Sequence, residues 1–242
     1  MKTMHFIYQP KGGTGKTAIA TIMSQYLMER EKPVIGFDTD NENFSFTAKK
    51  YLDVRRIKIA QDFWKSPAPI SFDPAIKIME EAEDGQHGVV DNGAATAPQF
   101  EDYLIQHNVM DVLQNKKINV ILHIVVDHQT KHYLNHFNRA VEKFPNIQIV
   151  IWVNNYLCDV DLGVKNISEY GGFQKHIDRI LGFIEIPNVK LTKFSDAIMS
   201  IDMDTTPYIS IIKNQLVKDD LRNSVDDYWK KLKFQLDMIP LD

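Results

Sequence analysis

The stretch QPKGGTGKTAIA, residues 9–20, constrains the fold of this 242-residue chain more than any other. It follows an apolar run, MHFIYQ at 4–9. It opens a segment in which Ile19, Ile22, Met23, Tyr26 and Leu27 recur at helical spacing. Strand, glycine-rich turn and amphipathic helix, in that order, form the context in which such a loop binds phosphate. Gly12, Gly13 and Gly15, with Thr14 among them, permit backbone conformations that side chains would block, so successive N–H groups can turn toward an anion. The helix beginning near Lys16 adds the positive end of its dipole. Lys16 is then expected to neutralise β- and γ-phosphate charge, and the Thr17 hydroxyl to ligate Mg2+. Such a loop needs one lysine. Lys11 is a second one.

The rest of the chain alternates between two kinds of segment. PVIGFD (33–38), HGVVD (87–91), INVILHIVVD (118–127), IQIVIWVNN (147–155) and LGFIEIP (181–187) are mostly continuous apolar runs, as suits strands buried on both faces. VRRIKIA (54–60) is a weaker, alternating candidate. Residues 129–144 place Tyr133, Leu134, Phe137, Val141 and Phe144 on one helical stripe. Strand and helix in turn, with short connections, predict an α/β fold: a doubly wound, mostly parallel sheet with helices on both faces. No repeat or linker divides the chain, so a single domain over 1–242 is expected, helical from about residue 190.

Carboxylates end three of the expected elements. In VIGFDTDNENF, Asp38 and Asp40 are two apart, so on a strand both would face one site. In HGVVDNGAAT, Asp91 ends a short apolar strand where an acidic group can help hold hydrated Mg2+. Asn92 and Gly93 then begin a loop suited to sensing a γ-phosphate. Each aspartate alone also fits an ordinary turn. Three of them beside a phosphate loop make a far more specific pattern.

KGGTGKT resembles the deviant Walker A motif of the ParA/MinD group of ATPases. That resemblance implies that Lys11 reaches across a dimer interface to the partner's nucleotide, Asp38 holds a water on Mg2+, and Asp40 orients the attacking water. Asn41 and Glu42 depart from the Pro-Gln often found next in that group. It also implies an adenine-contacting Asn154 and a base-flanking stretch at Ile186, Pro187 and Asn188. VRRIKI (54–59), VVDNGAA (89–95), HIVVDHQT (123–130) and VIWVNNY (150–156) are similar, in the same order, to the TraL group of ParA-like ATPases from plasmid conjugation regions. The implied activity is a Mg2+-dependent ATPase switching as a homodimer on ATP, in plasmid transfer, partition or stability. Plasmid DNA and conjugation or relaxosome proteins are the implied partners. The alternative is a nucleotide-binding scaffold with little turnover.

Composition narrows the partners. Cys158 is the only cysteine, so no internal disulfide can form. A symmetric dimer would offer two thiolates to a bridging iron–sulfur cluster that needs about four, so none is expected. A formal charge of −4 excludes a protein basic over its whole surface. No apolar run is long enough to span a bilayer or act as a signal, and a cytoplasmic location is expected. His128, His132 and His136 share one helical face but lack supporting ligands, which favours a solvated face over a metal site. Lys49, Lys50, Arg55, Arg56 and Lys58 could meet DNA, but charges guarding an edge strand explain them better. Val225, Trp229, Leu232, Leu236 and Ile239 line one stripe of a last helix, with Asp226, Asp227 and Asp237 opposing lipid; packing on the sheet is expected, not membrane association.

Overall fold

The structure, a computed structural model, describes residues 1–40, 43–58, 71–94, 97–127, 130–156, 159–161, 167–189, 195 and 203–241. Seven strands build its centre: β1 (Lys2–Tyr8), β2 (Val34–Asp38), β3 (Val54–Arg56), β4 (His87–Asp91), β5 (Ile118–Val126), β6 (Gln148–Asn154) and β7 (Ile180–Ile186). They form one sheet in the order β3-β2-β4-β1-β5-β6-β7, and every neighbouring pair is parallel. The expected doubly wound sheet is thus wholly parallel among the described residues. The candidate over 54–60 yields only three strand residues, at the sheet's edge, where Arg55 and Arg56 are exposed.

Alternation along these strands sends side chains to two cores. Met4, Phe6, Tyr8, Phe37, Val90 and Leu122 face one side. There they meet α2 (Asp73–Glu81), α3 (Ala97–Gln106), α4 (Val109–Asn115) and α5 (Thr130–Lys143), whose Met79, Phe100, Leu113 and Phe137 are buried. Ile7, Val89, Ile121, Val125 and Trp152 face the other side, under α1 (Lys16–Glu29) and α8 (Asp219–Leu236). Two short helices, α6 (Gly171–Gln174) and α7 (Tyr208–Lys213), complete the chain. A sheet covered on both faces explains why its strands read as unbroken apolar runs.

The last helix packs on the domain as its stripe predicts. Val225, Trp229, Leu232 and Leu236 are buried, while Trp229 Nε1 and Lys233 Nζ each donate to the Glu29 carboxylate at 2.6 Å. None of the described helices is long and apolar enough to cross a membrane. His128 and Cys158 lie outside the described residues, as do the side chains of His132 and His136.

Two buried polar groups join elements that sequence patterns treat separately. On the α1 side, His123 accepts from Trp152 Nε1 at 2.9 Å, His5 Nδ1 meets His123 Nε2 at 3.0 Å, and His5 Nε2 meets His87 Nδ1 at 3.0 Å. This line crosses β6, β5, β1 and β4. On the opposite side Glu101 of α3 is buried. It accepts from Tyr8 at the end of β1, from Arg139 Nη2 at 2.7 Å, and from Lys143. Its carboxylate ties α3 and α5 to the strand that leads into the glycine-rich loop.

Candidate functional site

In a parallel sheet all strands present their carboxyl ends along one rim, where ligands bind open α/β folds. Tyr8, Asp38, Asp91 and Asn154 are the last residues of β1, β2, β4 and β6. Register brings the carboxylates together, with Asp38 opposite Asp91 and Ile7 opposite Asp91 from the other side.

The loop after β1 has the backbone that its glycines predict. Gly13 has φ +73° and Gly15 φ +91°, values in the left-handed region that a side chain would strain. Gly15 is also the N-cap of α1, so the helix begins where the loop ends. Gln9 is buried beneath it and donates through Nε2 to Val125 O at 2.9 Å. Thr14 Oγ1 and Lys16 Nζ both donate to Lys11 O, at 3.3 and 2.8 Å, drawing the loop into a closed turn. Lys11 itself is half-buried on the outer arm of that turn.

The carboxylates gather around Thr17. Thr17 Oγ1 donates to Asp91 Oδ2 at 2.6 Å. Asp38 is buried and accepts from Thr47 N and Oγ1 through one oxygen, and from Asp40 N through the other. Asp40 accepts from Asn43 N at 3.0 Å. The expectation that Asp38 and Asp40 share a face by strand alternation gives way to another cause. β2 stops at Asp38, and the Asp38 carboxylate bonds the Asp40 N–H two residues on, the Asx-turn geometry that bends Asp40 back over the rim. Gly93 lies against this turn: a Cβ there would stand 2.6 Å from Asp40 Cα. The two loops after β2 and β4 therefore touch.

Charge in this site is unbalanced. Burial pushes the Asp91 carboxyl up to about 7, and the negative charges of Asp38 and Asp40 add to the rise, while Thr17 and Lys16 oppose it. Burial likewise lowers Lys16, against the pull of Asp91 and Asp40. A desolvated acid near like charges gains most from an incoming cation. The donors are hard oxygens from a hydroxyl and carboxylates, which suits Mg2+. Among the described residues no three carboxylate, imidazole or thiolate groups form a metal cage.

The base-side residues divide. Asn154 and Ile186 line a cavity of about 420 Å³ that opens at Gly13, Gly15 and Thr17. Pro187 instead lines an open groove next to it, with Asn155, Lys230 and Phe234. Sequence patterns did not single out Tyr208 or Tyr228, which line the same cavity as Asn154, or Tyr156, named only within a matching stretch. Nor did they single out Thr47, the clamp on Asp38. Tyr228 follows Val225 by three residues on the last helix, so its side of the helix was legible, but that it would line one cavity with Gly13, Gly15 and Thr17 was not. Of the basic cluster, Lys49 turns toward Asp204 at 2.5 Å, and Arg56 lies 3.6 Å from the centre of the Phe44 ring.

Residues 6–240 match the family of CobQ/CobB/MinD/ParA nucleotide-binding domains. Protein TraL of Escherichia coli is 30% identical over 194 residues, covering 78% of each chain. A second Escherichia coli protein of that name is 28% identical over 193 residues with the same coverage. Among solved structures, the MinD cell division protein of Aquifex aeolicus superposes with a TM-score of 0.47 at 15% identity, over 99% of both chains.

Proposed function

The chain belongs to the CobQ/CobB/MinD/ParA nucleotide-binding family, and from that premise we propose that it is a Mg2+-dependent ATPase, a single domain working as a nucleotide-switched homodimer. The observation that carries this reading is the convergence of Thr17, Asp91, Asp38, Asp40 and Lys16 on one rim beside a loop with two left-handed glycines. Similarity to the two TraL proteins supports a role for the switch in conjugative plasmid transfer, partition or stability. Conjugation proteins or plasmid DNA are the partners that similarity suggests, in the cytoplasm.

Each residue then has a task. The loop N–H groups, including that of Thr14, cradle the β- and γ-phosphates. Lys16 exchanges the Lys11 carbonyl for phosphate oxygen. Thr17 and Asp91 would hold hydrated Mg2+, with Asp38 as a further acceptor for its waters, and the ion would supply positive charge to the phosphoryl oxygens. Asp40 accepts a hydrogen bond from the attacking water and sets it in line with the γ-phosphorus. The bond from that phosphorus to the β-phosphate oxygen breaks, leaving ADP and inorganic phosphate. Lys11 of a second copy neutralises charge on the transferring group, so turnover depends on dimerisation.

Two variants test this. Lys11→Ala should keep ATP binding within about threefold and lose hydrolysis on the order of 10³-fold, the scale of a cation supplied in trans. Hydrolysis at the wild-type rate by Lys11→Ala would remove the trans-lysine role. Asp40→Ala should sediment as a dimer with ATP and Mg2+ and as a monomer with ADP. A monomer in both would remove the switch.

A further inference from the structure

We propose that nucleotide selection rests on a tyrosine platform lining the loop's cavity, and that Asn154 braces the loop. The inference rests on the nucleotide reading above and says which side chains read the part of the ligand beyond its phosphates.

Asn154 is held at both ends of its amide. Nδ2 donates to Thr14 O at 2.9 Å, and Oδ1 accepts from Tyr156 N at 3.1 Å. A carbonyl can only accept and a backbone N–H can only donate, so these partners fix the amide's orientation. The amide also packs on the loop. A Cβ added to Gly15 would stand 2.6 Å from Asn154 Nδ2, so the left-handed glycine and the asparagine fit only as a pair. An amide reads a purine edge by turning a donor and an acceptor toward it together. Here one of its two N–H donors and one of its oxygen's two lone pairs already serve the loop and the turn after β6, which makes bracing the role that the geometry displays.

The cavity continues past that brace. It opens at Gly13, Gly15 and Thr17, and its lining includes Tyr156, Tyr208 and Tyr228. At about 420 Å³ it lies within the roughly 300–1,000 Å³ range of small-molecule sites. A ligand whose phosphates rest on the loop can extend its base along this path. The rings come from three distant places in the chain and are fixed from behind. Tyr208 N donates to Gln25 Oε1 at 2.7 Å. Its ring lies 5.0 Å from Trp229 and 6.0 Å from Tyr228, centroid to centroid. Burial raises the Tyr208 and Tyr228 phenols well above their ordinary value, each helped by neighbouring tyrosines, so both stay neutral. A rigid, neutral aromatic platform recognises a base through its π-face, and every base has one. The platform selects for a large flat ring system and discriminates weakly between adenine and guanine.

Calorimetric titration with ATP, GTP and inorganic triphosphate, each with Mg2+, separates brace from platform. In the wild type ATP and GTP should bind within about tenfold of each other, and inorganic triphosphate far more weakly. Tyr208→Leu should weaken ATP about 5- to 100-fold, the range of one lost base–aromatic stack, and leave triphosphate within twofold. Tyr208→Phe keeps the ring and should hold ATP within about threefold. If Tyr208→Leu does not fold, the half-buried Tyr156→Leu gives the same comparison. Asn154→Ala should weaken ATP and inorganic triphosphate by the same factor. The proposal is overturned if Asn154→Ala weakens ATP alone, or if the tyrosine variants bind ATP as the wild type does. A wild type that binds neither ATP nor triphosphate overturns the nucleotide reading and this inference together.

Discussion

Strands β1 and β4 carry two buried polar clusters, and they differ in what they need. In the middle of the sheet His123, His5 and His87 form a line that starts at Trp152. Indole N–H can only donate, so His123 Nδ1 accepts, His123 Nε2–H donates to His5 Nδ1, and His5 Nε2–H donates to His87 Nδ1. One tautomer of each ring, all of them neutral, carries the line from Trp152 as far as His87 Nδ1, and the buried His87 Nε2 lies beyond its end. At the carboxyl ends of the same strands the balance is the reverse. Asp91 has Asp38 and Asp40 as like-charged neighbours, and Lys16 donates to a backbone carbonyl instead of to a carboxylate. Along that line the first cluster draws only on donors and acceptors of the protein itself. The second carries surplus negative charge, which the proposed cation and nucleotide would relieve.

Breaking the histidine line should produce the largest effect. His5→Leu leaves a donor on His123 and an acceptor on His87 without their partner in the core, where each orphaned group costs about 1–3 kcal/mol. Urea unfolding should show a loss on the order of 3 kcal/mol. A loss below about 1 kcal/mol would mean that the line is not formed in solution. The same cluster makes stability sensitive to acid. Burial lowers His5 well below its ordinary value and His123 to about 3, with their mutual repulsion adding to the shift of His5. The unfolded rings titrate near 6.5, so this contribution is whole above that pH and is lost as pH falls from there toward 3.

The carboxylate cluster has the opposite sign. Asp91 rises from 3.8 to about 7, so its neutral form is favoured in the folded protein. That contribution is whole below about 4 and is lost as pH rises through about 7. Asp91→Asn removes the buried charge and should raise thermal stability at pH 8, measured without nucleotide or Mg2+, by about 1–2 kcal/mol. That is roughly 2–8 °C for a domain of this size. The difference should shrink as pH falls through about 7 and vanish only below about 4. Saturating Mg2+ and ATP should reverse the order, since a ligand at about 100 times its dissociation constant stabilises the wild type by about 2.7 kcal/mol. An Asn variant less stable than the wild type at pH 8 without ligand would show that the two clusters do not differ in this way.

The two clusters also differ in how far they could be read from sequence. The loop was legible because its parts lie within nine residues, and Gly13 and Gly15 hold left-handed backbone that a side chain would strain. Asp38 and Asp91 were legible because each ends an apolar run, and a parallel sheet collects such ends on one rim. The histidine line was not. Its members are separated by 82 and 118 residues, and each sits inside an apolar run where a single polar residue carries no pattern. Periodicity pointed instead to His128, His132 and His136, because local spacing is what periodicity can see. The tyrosine platform escaped for the same reason: Tyr156, Tyr208 and Tyr228 meet only after α7 and α8 have folded back onto α1. Pairs close in sequence are set by local geometry, whereas these contacts depend on strand order and crossover, which no short window contains.

Thr3 tests the comparison at its finest grain. It is the register partner of His87 and lies on the histidine side of β1, yet its Oγ1 is buried with no hydrogen-bond partner. A buried hydroxyl without a partner lowers stability by its own desolvation. Thr3→Val keeps the β-branched shape that suits a strand and removes the hydroxyl. If the histidine line is self-sufficient, the variant should be unchanged or more stable by up to about 1 kcal/mol in urea unfolding at pH 7.5. A loss of more than about 1 kcal/mol would mean that the Thr3 hydroxyl takes part in the line, whose chain of donors would then extend one residue beyond His87. Such a result would leave every ring neutral but move the end of the line from His87 to Thr3, and the line would no longer be self-sufficient without that hydroxyl.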